Sequence, residues 1–178
     1  MKALTKRQER LYHLLLFLVR LLLFSVPLYL IIDFGLNLSG LQQVTVSWTM
    51  GILATLGLPV TAENFLVIIG GSTPFRFIIS EDCTAWKSML FFLALVFAVP
   101  QGRRRLWALL GLPVIWFGNL ARIVGAVLIQ QAFGTPAALL AHDIFWKLGM
   151  VALVLGLWWL WLRRSSKIVK GKSFYAER

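Results

Sequence analysis

The chain has a single cysteine, two histidines and only seven acidic residues in 178 positions. One cysteine excludes an internal disulfide, and no grouping of cysteine and histidine has the spacing of a structural metal site. We therefore expect no metal and no other cofactor. Eighteen Lys and Arg residues give a formal net charge of +11. Any chemistry in this strongly basic chain must depend on a small number of polar side chains.

The distribution of apolar and basic residues is typical of a membrane protein. Hydrophobic residues make up 59% of the sequence, too many for a soluble domain of this length. A nucleic-acid-binding protein would spread its basic residues over a solvated face, so we expect no nucleic-acid partner. Here they sit between apolar segments, as in cytoplasmic loops under the positive-inside rule. The three basic blocks are Lys2, Lys6, Arg7 and Arg10; Arg103, Arg104 and Arg105; and Arg163, Arg164, Lys167, Lys170 and Lys172.

Four apolar segments approach the roughly 20 residues that a helix needs to cross a hydrocarbon core of about 30 Å. They are residues 11–32, 84–100, 106–131 and 144–162. With the basic blocks inside, the helices run alternately outward and inward, and both termini are cytoplasmic. We predict an all-α, multi-pass protein of the cell membrane with about four transmembrane helices. Residues 1–163 would form one membrane-embedded domain and residues 164–178 a basic cytoplasmic tail.

About fifty residues between the first two segments lie outside the membrane in this topology. Residues 47–58 are a weaker helical candidate. A span there would put Cys83 on the cytoplasmic side, so we favour an interfacial or re-entrant helix. Two runs rich in β-branched and aromatic residues follow, "NFLVIIG" and "FRFIIS", joined by Gly-Gly-Ser-Thr-Pro. This pattern predicts a short external β-hairpin that leads directly into Cys83.

Three chemically active side chains fall at the outer ends of separate predicted helices. Cys83 begins the second helix and His142 begins the fourth. Arg122 lies sixteen residues past Leu106, about 24 Å along the third helix at 1.5 Å per residue. Asn119 lies one turn earlier on the same side. Because charge inside a membrane costs a few kcal/mol or more, Arg122 in particular needs a reason to be there.

A thiol, a guanidinium and an imidazole at one depth suit nucleophilic catalysis. A free cysteine has a pKa of about 8.5 and needs a helix N-terminus, a cation or a base to react at neutral pH. We expect Asp82 to be an N-cap, which places Cys83 in the first turn of a helix whose dipole favours the thiolate. Arg122 would pair with the thiolate or an oxyanion. His142, at a helix start that disfavours imidazolium, would act as general acid and base.

Each of the three residues also has an ordinary structural explanation. A lone membrane cysteine such as Cys83 is usually an apolar filler. Arg122 can snorkel to the outer interface, and His142 can be an interfacial cap. One shared site explains three polar residues at the same depth more simply than three unrelated structural roles do. We therefore favour catalysis, with Cys83 as nucleophile, Arg122 as thiolate or oxyanion stabiliser and His142 as general acid and base.

Four further residues are weaker candidates. Trp86 and Trp146 lie one turn beyond Cys83 and His142, where an interfacial tryptophan belt explains them adequately. We keep both, with Asn119, as candidate substrate-binding residues. Arg20 in the first helix either snorkels or pairs with a group that the sequence does not identify.

The segments that carry these residues resemble the exosortase/archaeosortase family of membrane transpeptidases. The resemblance rests on "EDCTAWKSMLFFLALVFAVP", "GNLARIVGAVLI" and "AHDIFWKLGMVALVLGLWWLWLR", whose order and spacing match the family over residues 75–164. The amino-acid sequence around Cys83 resembles the archaeal branch of the family more than the bacterial branch. Family members often have Gly two residues after the cysteine, where this chain has Ala85.

This resemblance implies an enzyme that cuts a C-terminal sorting tail from exported proteins. Such a tail has a short recognition motif, a membrane helix and a basic cluster. By resemblance, Cys83 would attack the scissile peptide outside the membrane and form a thioester, which an acceptor such as a lipid head group resolves. Arg122 and His142 match the family's other two catalytic positions. The implied partners are tail-bearing exported proteins and membrane lipid, both as environment and as possible acceptor.

Two other functions stay open from the sequence. A membrane cysteine peptidase that only hydrolyses would leave a free carboxylate in place of a lipid-sized adduct. A small non-enzymatic transporter or assembly subunit would use Arg122 to bind an anion, and it would keep full function after Cys83→Ala.

Overall fold

The computed structural model describes residues 5–35, 37–71, 74–99, 105–144 and 148–175, and leaves out the side chains at 105, 142, 143 and 165–175. The described chain is mostly helical, with one small sheet. Its elements, in chain order, are α1 (Lys6–Phe34), α2 (Ser39–Thr55), β1 (Val60–Glu63), β2 (Leu66–Ile69), β3 (Phe75–Ile78), a 3₁₀ helix (Glu81–Thr84), α3 (Trp86–Ala98), α4 (Arg105–Ala108), α5 (Gly111–Phe133), α6 (Thr135–Ile144) and α7 (Met150–Tyr175).

Two of the described helices are long and apolar enough to cross a membrane. They are α1 and the stretch Leu106–Phe133, which contains α5. α1 starts at a capping box, in which the Thr5 N–H donates to the Gln8 side chain at 2.9 Å and the Thr5 hydroxyl accepts from the Gln8 N–H. α3 is apolar but has only 13 residues. The mostly helical membrane fold agrees with the prediction, whereas the number of four spans is not confirmed.

The predicted β-hairpin is confirmed, and the sheet has one strand more. β2 and β3 pair antiparallel with Leu66 opposite Ile78. β1 pairs antiparallel with the other side of β2, so the strand order is β1-β2-β3. The sequence did not indicate β1 because "VTAE" is only four residues long and contains Ala and Glu, which strands disfavour.

The weak helical candidate at residues 47–58 belongs to α2, which begins earlier, at Ser39. α2 packs against β1 and the 3₁₀ helix. Three of its polar side chains, Gln42, Thr45 and Thr49, are buried. Their spacing puts them on one side of the helix, so this side packs against protein. The placement of α2 at the membrane interface stays a prediction.

The chain divides into two compact units. The first unit contains Met1–Gly35, Leu90–Leu112 and Leu155–Arg178, and the second contains Leu36–Met89 and Pro113–Val154. In the first unit, the Phe24 ring centroid lies 5.6 Å from that of Phe97. That residues 1–163 form a single domain stays a prediction. The core of the second unit comes from α2, the sheet and α5, and consists of Val46, Leu53, Val67, Ile69, Ile79, Val124 and Val127. Cys83, Asn119 and Arg122 all belong to this second unit.

Candidate active site

Cys83 lies in the 3₁₀ helix Glu81–Thr84, on the short connection between β3 and α3. Its N–H donates to the Ser80 carbonyl at 2.9 Å, and the Ser80 hydroxyl lies 3.5 Å from the Cys83 sulfur. The Thr84 hydroxyl donates to the Glu81 carbonyl at 2.8 Å. The thiol is half-buried. These local bonds fix a tight turn that leaves the sulfur accessible from one side.

The expected N-cap role of Asp82 is wrong. α3 begins at Trp86, three residues after Cys83, so the cysteine precedes the α-helix and does not lie in its first turn. The Asp82 carboxylate forms an ion pair with Lys87, with 2.6 Å between Oδ1 and Nζ, on the exposed surface. Surface pairs of this kind contribute little to stability. Because the helix dipole acts mainly within the first turn, it is not the main activating feature here.

Ala85 has a left-handed backbone conformation, with φ 62° and ψ 5°. Such a conformation costs a residue with a β-carbon roughly 1–2 kcal/mol, and glycine adopts it freely. Ala85 ends the 3₁₀ helix and is buried, at 5% exposure. The turn therefore gives a conformational reason for glycine at this position, where this chain departs from the family pattern.

Asn119 on α5 is hydrogen-bonded to the main chain of the cysteine turn. Its amide nitrogen donates to the Cys83 carbonyl at 2.6 Å, and the side chain is only 1% exposed. Within the described part of the chain, its Oδ1 has no hydrogen-bond partner. Asn119 thus holds the position of the turn that carries the thiol. Its role in substrate binding stays a prediction.

Arg122, one turn further along α5, reaches the same cysteine. Its guanidinium lies close enough to the Cys83 side chain for the two to interact electrostatically. Arg122 is buried, at 6% exposure. A cation next to a cysteine favours the thiolate over the thiol. The structure thus brings Cys83 and Arg122 into contact, while their catalytic roles stay predictions.

Cys83 lines a groove of about 280 Å³ between β3, α5 and α6. One wall consists of five consecutive residues, 75–79, of β3 and its exit. The facing wall is mostly apolar and includes Ile123, Ala126 and Val127 of α5 and Ala138 and Leu139 of α6. The thiol is therefore next to a space that a peptide segment can enter.

His142 lies in the last turn of α6, not at a helix start as expected. Of the predicted fourth segment, residues 144–162, only Ile144 belongs to α6, and α7 begins at Met150. Because the C-terminal end of a helix favours a cation, the dipole argument for a neutral imidazole does not hold. Position 142 comes one turn after Ala138, which lines the groove. The His142 side chain itself lies outside the described residues.

The weaker candidates are not part of this groove as far as the structure describes them. Trp86 is buried at 8% exposure and is not among the lining residues. Trp146 lies outside the described residues, so the substrate-binding roles of both tryptophans stay predictions. Arg20 is partly buried in α1 and belongs to the other unit.

Gln42 is a residue near the site that sequence reasoning missed. Its amide nitrogen donates to the Ile79 carbonyl at 3.2 Å, where the chain leaves β3 for the cysteine turn. A signal for it was present, because Gln42, Thr45 and Thr49 follow one another at helical spacing in a mostly apolar chain. Such spacing inside an apolar sequence indicates that the helix faces buried main-chain groups.

We expect Asn119→Leu to destabilise the protein by about 1–3 kcal/mol, because it leaves the buried Cys83 carbonyl without this donor. Thermal unfolding of the full-length protein in detergent measures the effect. The matched control is Gln130→Leu on the same helix, which removes an exposed amide bonded to Thr135 and should change stability by less than about 0.5 kcal/mol. Equal loss in the two variants would contradict the anchoring role of Asn119.

The left-handed conformation of Ala85 predicts that the protein tolerates glycine at this position but is destabilised by valine. Ala85→Gly removes a backbone penalty of roughly 1–2 kcal/mol and loses a buried methyl group worth about 0.8 kcal/mol, so stability should stay the same or rise slightly. Ala85→Val puts a β-branched residue in the left-handed region and should lower the melting temperature. If Ala85→Val melts no lower than the wild type, residue 85 is not left-handed.

Comparison with known proteins gives one match that covers most of the chain. The family model described as transmembrane exosortase matches residues 3–162. The match does not separate the archaeal from the bacterial branch, so that part of the resemblance stays a prediction. No curated protein and no solved structure matches the chain.

Proposed function

Because the chain belongs to the transmembrane exosortase family, we propose that it is a membrane cysteine transpeptidase that cleaves a C-terminal sorting tail from exported proteins. The observation that carries the proposal is the position of the buried Arg122 guanidinium next to the Cys83 side chain, which lines an open groove. A structural cysteine has no need of a buried cation, and burying a guanidinium is expensive unless it has a use. Stabilising a thiolate nucleophile at Cys83 would be such a use for Arg122.

In the first step, the Cys83 thiolate attacks the carbonyl carbon of the scissile peptide bond. A carbon–sulfur bond forms, and the negative charge moves from sulfur to the carbonyl oxygen. Arg122 has several N–H donors in a planar fork, so it suits both sulfur and oxyanion. When the intermediate collapses, the carbon–nitrogen bond breaks and the tail leaves as an amine that takes a proton from His142. The remaining protein is then joined to Cys83 as a thioester.

In the second step, a hydroxyl or amine of an acceptor attacks the thioester carbonyl. His142 removes the proton of this nucleophile, the carbon–sulfur bond breaks and the Cys83 thiolate is restored. Transfer to a lipid head group would leave the exported protein attached to the membrane. Water in place of that acceptor would make the same enzyme a simple peptidase.

The site would face the outside of the cell membrane, with both termini in the cytoplasm. The chain is a membrane protein by its family and its two long apolar helices. The basic blocks between apolar segments support the orientation, because such blocks stay inside. The sorting tail has a membrane helix of its own, so the substrate would approach from within the bilayer.

The function predicts a covalent peptide on Cys83. Tagged full-length protein from growing cells is denatured in acid, which preserves thioesters, and the peptide that contains Cys83 is analysed by mass spectrometry. We expect an acyl-peptide adduct in the wild type and none in Cys83→Ser. Arg122→Ala and His142→Ala should reduce it by about 10²–10⁴-fold, as expected for loss of a charge stabiliser or a general acid.

The matched control for this measurement is Ser47→Ala, which removes a hydroxyl bonded only within its own exposed helix turn and should keep the adduct. The released product separates transfer from hydrolysis, since transfer adds the mass of a lipid and hydrolysis leaves a free carboxylate. A wild type without any adduct, together with full function in Cys83→Ala, would contradict the enzyme and favour a non-enzymatic subunit.

The outer position of the site predicts that a membrane-impermeant thiol reagent labels Cys83 in intact cells. Because Cys83 is the only thiol, the wild type needs no further substitution. The control is the double variant Cys83→Ser with Lys172→Cys, whose thiol lies in the basic tail and should react only after the cells are permeabilised. Wild-type labelling that also requires permeabilisation would place the site on the cytoplasmic side and overturn the orientation.

A further inference from the structure

β3 is an edge strand, and main-chain N–H and C=O groups lie along its free side. In the part of the chain that the structure describes, it pairs with β2 on one side only. The Ile79 N–H donates to the Phe65 carbonyl at 2.9 Å, in the register that sets Leu66 opposite Ile78. Main-chain groups alternate in direction along an antiparallel strand. The N–H and C=O groups of Arg76 and Ile78 therefore point away from β2.

The groove beside Cys83 follows this free edge. Its wall includes all five consecutive residues from 75 to 79. Side chains of a strand alternate between its two faces, so a groove that contacts every residue in turn runs along the edge and not over one face. The Ile78 side chain is 67% exposed, which is consistent with an uncovered edge.

The far side of the groove suits the side chains of an added strand. Ala126 and Val127 of α5 and Ala138 of α6 provide a wall of small and apolar groups. Cys83 also lines the groove, four residues after the last of the β3-wall residues. A peptide that lay along β3 would thus have its main chain on one side, apolar contacts on the other and a nucleophile in the same space.

We propose that the substrate segment around the scissile bond binds as an additional strand on β3, through main-chain hydrogen bonds to Arg76 and Ile78. This inference rests on the proposed function and adds how the substrate is recognised. Strand addition takes affinity from main-chain bonds and selects side chains at every second position. It also holds the scissile segment extended, with its carbonyl available to the thiolate, which a helical segment would not be. The selected positions face a mostly apolar wall and so take mainly apolar side chains.

The test on the enzyme is Ile78→Pro, measured as the acyl-peptide adduct on Cys83. Proline removes an N–H that points into the groove and leaves the β2 pairing intact, because edge strands tolerate proline where the N–H is not used in the sheet. We expect the adduct to fall at least tenfold, while alkylation of Cys83 by iodoacetamide proceeds at the wild-type rate. The small reagent does not need the strand, so it reports whether the cysteine turn is intact.

A control variant separates the free edge of β3 from a general effect of proline in the sheet. Ala62→Pro puts proline on the other edge of the sheet, where the Gly70 N–H bond to Pro59 shows that the Ala62 N–H also points away from β2. It should keep the adduct. A wild-type adduct level in Ile78→Pro, or equal loss in Ala62→Pro, overturns strand addition and leaves the proposed function standing.

A test on the substrate does not depend on folding of any variant. The adduct on wild-type Cys83 gives the substrate sequence up to the scissile bond. A synthetic peptide of that sequence, with a C-terminal anilide that leaves as an amine when the thioester forms, is N-methylated at one residue at a time. With full-length wild-type protein in detergent, strand addition predicts at least tenfold slower acylation at alternate residues only. Loss at every residue, or at none, would overturn it. If wild-type protein yields no adduct and Cys83→Ala keeps full function, the proposed function fails, and strand addition fails with it.

Discussion

The structure of the second unit depends on the attachment of α5 to the turn that carries Cys83. α5 presents Asn119 and Arg122, one helical turn apart, to the main chain and the side chain of the same cysteine. Both side chains are almost fully buried, so each must have partners or cost several kcal/mol. The cysteine turn supplies partners for both. The positions of β3 and of the groove wall that it forms follow from where this turn is held.

The surrounding elements fix the turn from its other sides. On the chain before Cys83, the Ile79 carbonyl accepts from Gln42 of α2, and on the chain after it, Ala85 reverses the backbone into α3. The core formed by α2, the sheet and α5 packs against Cys83. A cysteine held by hydrogen bonds from two helices and by a backbone reversal has little freedom to move away from Arg122. Such preorganisation is what electrostatic stabilisation of a transition state requires.

Periodicity along a single helix could be predicted from the sequence, and breaks between helices could not. Asn119 and Arg122 were correctly placed on one side of α5 because only one helix is involved. The hairpin of β2 and β3 was predicted because its turn residues are distinctive. The start of α3 was placed too early, since nothing in the identity of Ala85 indicates a left-handed backbone. The position of His142 near the end of α6 could not be predicted either, because it depends on a break between helices. Gly134 and Pro136 mark the beginning of α6, but no comparable signal separates α6 from the apolar run that follows.

Asn119 donates a hydrogen bond to the Cys83 carbonyl oxygen, whereas Arg122 interacts electrostatically with the Cys83 side chain. These two contacts respond differently to the chemical state of the cysteine. A thioester sulfur carries no negative charge and is a poor acceptor, so acylation would release the guanidinium, which becomes free to follow the charge to oxygen. The carbonyl is the same group before, during and after acylation, and Asn119 can keep its hold throughout. In the proposed mechanism, α5 would thus provide one permanent contact and one reversible contact, and the geometry of the turn would stay the same between rounds of catalysis.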